Sequence, residues 1–199
     1  MRRSDTRTHI LQVACAQIYR SGFRGVSVEQ IVAQTGLTKG AFFHYFPTKN
    51  DIGYAVVDEC LLEAILDRWI RPLASRRNVL RGILDLYVQT FEHWTNENLA
   101  YGCPLHNLSQ EMSAIDPVFR QKIQAVLEHW IQATERYLLK AKQDGHLKTG
   151  VDARELAEFI VAMQESAFAM GKATNDPSIL RSLCKAMRHH LNTLAATRR

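Results

Sequence analysis

Seven consecutive residues, Lys39-Gly40-Ala41-Phe42-Phe43-His44-Tyr45, put an ammonium, an imidazole, a phenol and two phenyl rings within about two helical turns. Phe42 and Phe46, four residues apart, supply one apolar face that must pack inward. Lys39, Gly40, Phe43, His44 and Tyr45 are left for the outer surface, and a merely solvated helix has no use for that set. Hydroxyl, imidazole and ammonium groups bond phosphates, while side chains near a helix N-terminus reach base edges in the major groove of DNA. Gly40 adds room for the backbone to approach a duplex closely.

Caps and breakers predict the elements that hold this stretch. Ser27-Val28-Glu29-Gln30 has capping-box form and starts a helix at Val28 that reaches about Thr35, where Gly36 makes a tight turn. Thr38 then caps the helix Lys39 to Tyr45. Two short helices across a glycine turn have the dimensions of a helix-turn-helix. An ordinary helical hairpin shares those caps, and only the surface of the second helix separates the two readings. A first helix over about 5–21, ended by Gly22, completes a three-helix head. Thr48-Lys49-Asn50-Asp51 opens a long fourth helix expected to reach about Ile70, short of Pro72. Further helices are expected over about 76–96, 104–113, 117–145, 152–175 and 176–196, with Asp116-Pro117 and Asp176-Pro177 as starts. The class is all-α with about nine helices.

The 199 residues allow one or two domains, and the net charge of +5 is unevenly spread. Residues 1–51 hold +4 of it, as expected of a nucleic-acid-binding head on a near-neutral body, although a solvated charged face gives the same count. Arg2, Arg3 and Arg7 form either an arm reaching DNA or a solvated tail. No apolar run approaches the roughly 20 residues of a membrane span, and Met1-Arg2-Arg3-Ser4-Asp5 is not followed by the apolar segment of a signal peptide. A cytoplasmic protein without membrane contact is expected. Cys15, Cys60, Cys103 and Cys184 are far apart, so neither a disulfide framework nor a metal site is indicated, and no cofactor is expected.

The stretches Gly22-Phe23-Arg24-Gly25-Val26-Ser27-Val28 and Gly36-Leu37-Thr38 through Thr48-Lys49 resemble the DNA-binding head of the TetR/AcrR repressors. The resemblance is dense over about the first 60 residues. It implies a DNA-binding domain over 1–50 and a ligand-binding and dimerisation domain over 51–199. It also implies backbone contacts from Ser27, His44, Tyr45 and Lys49, with base or near-base contacts from Thr38, Lys39, Gly40 and Phe43. Val26 and Phe43 stand where the family often has a hydroxyl, each removing one hydrogen bond. Lys39 is a less geometrically selective reader of guanine than arginine would be.

A two-fold operator needs a homodimer. Two apolar stripes on the last two helices include Phe159, Met163 and Met170, then Leu183, Met187 and Leu191. Such stripes are also what a plain core uses, and the resemblance favours an interface. Trp69, Phe91, Trp94, Cys103, Met112, Trp130, Met163 and Phe168 would line an apolar ligand pocket, or else simply fill a core. The segment from Gly102-Cys103-Pro104 to Asn107-Leu108 and Glu111 resembles a stretch of one TetR subgroup, which includes a sensor of reactive electrophiles alongside members without known thiol chemistry. It sets a thiol beside a helix N-terminus, which favours thiolate. In that alternative Cys103 is the sensor and Lys172 steadies its thiolate; otherwise Cys103 is a buried residue in a tight turn.

The implied function is a sequence-specific transcriptional regulator released from a palindromic operator by a small-molecule inducer, with the fourth helix as the lever. An enzyme is the contrasting class. His44, His93, His106, His129, His189 and His190 are possible bases, but no nucleophile, phosphate loop or metal spacing accompanies them. A constitutive architectural DNA-binding protein is the other.

Overall fold

A computed structural model of the chain describes residues 3–92 and 96–196. It is all-α, with no strand among the described residues. The helices are α1 (Arg3–Ser21), α2 (Val28–Thr35), α3 (Lys39–Tyr45), a composite α4 over 49–75, α5 (Val79–Glu92), α6 (Asn96–Tyr101), α7 (Pro104–Met112), α8 (Pro117–Gln143), α9 (Ala153–Thr174) and α10 (Pro177–Leu194). No helix among the described residues is long and apolar enough to cross a membrane.

The chain divides into two compact units. One holds residues up to Ala64 with Pro104–Val126, and the other holds Ile65–Cys103 and everything from Leu127. The first unit thus contains the head, the start of α4, all of α7 and the start of α8. Its core takes Ile10, Ala14, Phe42 and Ile52, all with no exposed surface, together with Phe23 and Phe46. Phe119 meets both Phe23 and Tyr54 edge-on at ring distances of 4.8 Å. A Cβ on Gly53 would fall 2.5 Å from Phe23 and 2.6 Å from Phe119, so only glycine lets α4 pack there. Asp116 caps α8 by accepting from the amides of Val118 (2.8 Å) and Phe119 (3.0 Å), and its other oxygen accepts from the Tyr54 hydroxyl at 3.0 Å.

α4 begins as ordinary helix over Lys49–Ala55, widens over Val56–Leu61 and again over Leu66–Ile70, and ends in a tight turn over Arg71–Ser75. In the wide turns the amides of Leu62 and Arg71 donate to carbonyls five residues back, Val57 and Leu66. The expected stop near Ile70 is therefore a change of winding, since Pro72 sits in the tight turn where its missing N–H costs little. α5 starts three residues later than expected because Asn78 caps it by accepting from the Arg81 amide (3.0 Å), while the Arg76 amide closes the preceding turn on Leu73. The remainder of the expected 76–96 helix includes residues 93–95, among them His93 and Trp94, which lie outside the described residues.

In the second unit, Trp69, Tyr87, Phe91, Trp130 and Phe168 form one aromatic cluster, with Trp69 stacked on Trp130 at 6.2 Å. The buried Tyr87 hydroxyl donates to the Ile160 carbonyl at 2.9 Å. Arg154 ties α8 to α9 by gripping both carboxylate oxygens of Glu128 at 2.8 Å. α9 ends at Asn175 in the left-handed region, and Asp176 caps α10 through the Ser178 amide.

Candidate nucleic-acid interface and ligand-binding body

The ends of α2 and α3 are built as their sequences dictate. The Ser27 hydroxyl accepts from the Gln30 amide (3.2 Å) and the Gln30 side chain accepts from the Ser27 amide (2.7 Å). Gly36 takes φ +68°, a conformation L side chains rarely adopt, and turns the chain between α2 and α3. The Thr38 hydroxyl accepts from the Ala41 amide at 3.2 Å, spending a lone pair and not its proton. Phe42 has no exposed surface and anchors α3, with Phe46 behind it at a ring distance of 6.0 Å. Phe43 stands 44% exposed on the opposite side, edge-on to Phe42. His44 is exposed and Tyr45 half-buried, their rings edge-on at 5.0 Å. A Cβ on Gly40 would meet only the Thr38 hydroxyl at 3.8 Å. Nothing among the described residues requires glycine at that helical position.

The cations of the head are engaged in ways their spacing does not reveal. Lys39 pairs with Glu29 across the turn at 2.6 Å, and the ammonium holds the Glu29 carboxyl at about 2, far below the usual carboxylate range. Lys49 lies with its ammonium 4.6 Å from the centre of the Phe23 ring, and loss of water there pulls its pKa down, with Glu111 opposing. Arg7 joins no arm: it grips both oxygens of Glu59, at 2.5 and 2.7 Å, and its guanidinium sits 5.1 Å over the Phe46 ring. Arg2 lies outside the described residues.

Glu111 has a role that sequence spacing does not reveal. Its carboxylate accepts from the amides of Phe23 (2.8 Å) and Arg24 (2.6 Å), bracing the turn between α1 and α2 from α7. Its spacing to that turn, 87 and 88 residues, carries no local signal. Glu29 could have been found from sequence, since an acid on the first helix and a cation on the second face each other across so short a turn.

Comparison with known proteins decides what carries this geometry. The family model for bacterial regulatory proteins of the tetR family matches residues 10–56, and the one for the tetracyclin repressor-like C-terminal domain matches residues 78–187. The chain belongs to the TetR family. A helix-turn-helix transcriptional regulator from the lacX 3' region of Lactococcus lactis is 30% identical over 185 residues, covering 89% of each chain. The transcriptional regulator AcuR of Cereibacter sphaeroides is 28% identical over 191 residues, covering 92% of this chain and 84% of its own. The fold is that of the reduced form of Escherichia coli NemR, with a TM-score of 0.85, 23% identity and 98% of each chain covered. With both family models matched, the protein is a transcriptional regulator.

Of the TetR-family body residues expected to line a pocket, Trp69, Phe91, Trp130 and Phe168 meet in one cluster. A cavity walled by Trp69, Trp130, Thr134 and Gln164 measures about 10 Å³, room for at most one water. Gln164 is buried there with its Oε1 unsatisfied. Met163 is half-buried on α9, Trp94 lies outside the described residues, and Met112 belongs to the other compact unit. Cys103 is buried and donates its S–H to Glu165 Oε1 at 3.2 Å. Burial lifts the Glu165 carboxyl to about 7. A carboxyl group beside the sulfur opposes thiolate formation, so the geometry does not favour the sensor reading of Cys103. Lys172 packs its side chain against Gly102, where an added Cβ would lie 3.1 Å from its Cδ.

The apolar stripes of α9 and α10 divide by exposure. Phe159 and Met170 stand 39% and 44% exposed, with Met163 and Leu183 half-buried. Met187 and Leu191 are 1% and 3% exposed, their surface already consumed in the chain's own core. A partner subunit could reach the first four and not the last two.

Proposed function

We propose that this TetR-family regulator is a homodimeric repressor acting in the cytoplasm, not an enzyme, that holds a palindromic operator with two heads and releases it when a small molecule occupies the body. The observation that carries the DNA reading is α3 itself, anchored by Phe42 with Lys39, Gly40, Phe43 and His44 turned outward. Glycine inside a helix costs about 0.5–1 kcal/mol relative to alanine, and the open space at Gly40 supports a close approach of the duplex there. Lys39 and Phe43 then face bases with Gly40 and Thr38 beside them, while Ser27, His44, Tyr45 and Lys49 grip phosphate. To do so Lys39 must leave Glu29, and Lys49 must leave the ring of Phe23. Dimerisation uses the exposed side of α9 and α10 around Phe159, Met163, Met170 and Leu183. Inducer binding in the body shifts α4, which begins at the Thr48 cap beside the head and continues past Trp69, and so alters the spacing of the heads.

Selection of bound fragments from random duplex DNA tests this reading. It should return a palindrome with half-sites about one helical turn or more apart, holding two chains. Phe159→Asp should dissociate the dimer and weaken palindrome binding at least about tenfold, since each half-site then loses its tethered neighbour. An asymmetric site held by a single chain would overturn the proposal.

A further inference from the structure

We infer that the groove between α5 and α10 binds an organic anion with an apolar body, a carboxylate or phosphate monoester on an alkyl or aryl chain. Two adjoining hollows of about 530 and 400 Å³ lie between these helices and share Val88, Arg188 and Asn192. Each falls within the range of about 300–1,000 Å³ typical of small-molecule sites. The floor is apolar, with Leu84, Val88 and Leu191 under the first hollow and Phe91 and Cys184 under the second. Basic groups edge it: Arg81 and Arg188 at the first, then Arg181, Lys185 and His189 beside Arg188 at the second.

The one acid at this helix is its capping Asp176, which acts on Arg181 at the start of the edge and leaves Lys185 and Arg188 without an acid on α10. The sequence of α10, PSILRSLCKAMRHHLNTL, contains Arg181, Lys185 and Arg188 and no Asp or Glu. Arg181 and Lys185 are four apart and Lys185 and Arg188 three apart, spacings at which like charges repel by a few tenths of a kcal/mol. Lys140 with Asp144 and Arg154 with Glu158 show the other arrangement, in which a helical cation faces an acid four residues away. The one acid among the described lining residues is Asp85, and Arg76 already lies 3.4 Å from it. A cationic edge whose Lys185 and Arg188 make no ion pair with an acid among the described residues, over an apolar floor, is complementary to an amphipathic anion: guanidinium groups take carboxylate or phosphate oxygens in pairs while the chain covers Leu84 and Val88.

The groove is also separate from the surface proposed for dimerisation. Positions 181, 185, 188 and 192 form one stripe of α10, and Leu180, Cys184, Met187 and Leu191 form the buried stripe beside it. The apolar edge, with Leu183 and with His190 against Phe159 at 4.8 Å, lies on the other side of that buried stripe. The proposal concerns binding and stands apart from whether occupation releases DNA.

Titration calorimetry of the full chain with octanoate, octyl phosphate and octan-1-ol provides the test. One octanoate or octyl phosphate should bind per chain, at least tenfold more tightly than the neutral alcohol, and the two anions separate carboxylate from phosphate preference. The double substitution Lys185→Gln with Arg188→Gln, at exposed positions, should reduce that affinity at least tenfold while leaving the thermal midpoint and retention of random duplex DNA unchanged. Equal binding of the alcohol, undiminished binding by the double variant, or no saturable binding of either anion at millimolar concentration would overturn the inference.

Discussion

Lys39, the cation proposed to reach the DNA from the start of α3, is held by Glu29 at 2.6 Å. Both side chains are more than half exposed, so the pair itself stabilises the fold little. Its consequence is for binding: a duplex must draw Lys39 away from a carboxylate that also repels phosphate. With its carboxyl held at about 2, Glu29 stays charged at every pH at which the protein would be assayed. Glu29→Gln should therefore tighten binding to a random-sequence duplex by roughly two- to fivefold and steepen the dependence of log affinity on log salt by about one unit, the share of one cation freed to meet the polyanion. A fluorescence-anisotropy salt series measures both. An unchanged slope and affinity would mean that Glu29 does not hold Lys39 back from the duplex.

At the level of elements, α3 depends on helices that do not touch DNA in this scheme. α7 supplies Glu111, whose two oxygens satisfy the amides of Phe23 and Arg24 where α1 gives way to α2. Removing an acceptor from amides in a tight turn costs on the order of 1–3 kcal/mol. Glu111→Ala should lower the unfolding free energy by about that much in urea denaturation, speed hydrogen exchange at the amides of residues 23 and 24, and weaken DNA binding. Glu111→Gln keeps one carbonyl oxygen and should recover part of each effect. Unaltered exchange at those amides would show that the turn holds without α7.

For the whole molecule, pH reports how firmly the body closes over its buried carboxyl. Glu165 has its pKa raised from the usual 4.5 to about 7 by burial, with the Cys103 S–H acting the other way. The unfolded chain releases this proton near 4.5, whereas the folded chain keeps it until about 7. Folding therefore binds a proton in that window, and stability falls as pH rises through it, with the full penalty present above 7. Glu165→Gln should leave the thermal midpoint unchanged near pH 4 and raise it near pH 8 by roughly 2–4 °C, the shift expected of about 1 kcal/mol in a chain of this length. A midpoint gain equal at both pH values would instead indicate a packing effect.

The helices, their caps and the helix-turn-helix were legible in the residues because these features are local. A capping box such as Ser27 to Gln30, a glycine with positive φ at 36, or the Asp116-Pro117 start involves groups within four residues of one another. The fold class followed from apolar periodicity for the same reason. Tertiary structure alone decided how the long side chains are used. Arg7 is bound by Glu59, 52 residues away, and Glu111 reaches the amide of Phe23 across 88 residues. It also separated Phe159 and Met170, which remain open to a partner, from Met187 and Leu191, which do not. An apolar stripe looks the same in sequence whether its neighbour is the chain's own core or another subunit. Only the packing of α5, α9 and α10 around one another determines which side of each stripe has already been buried.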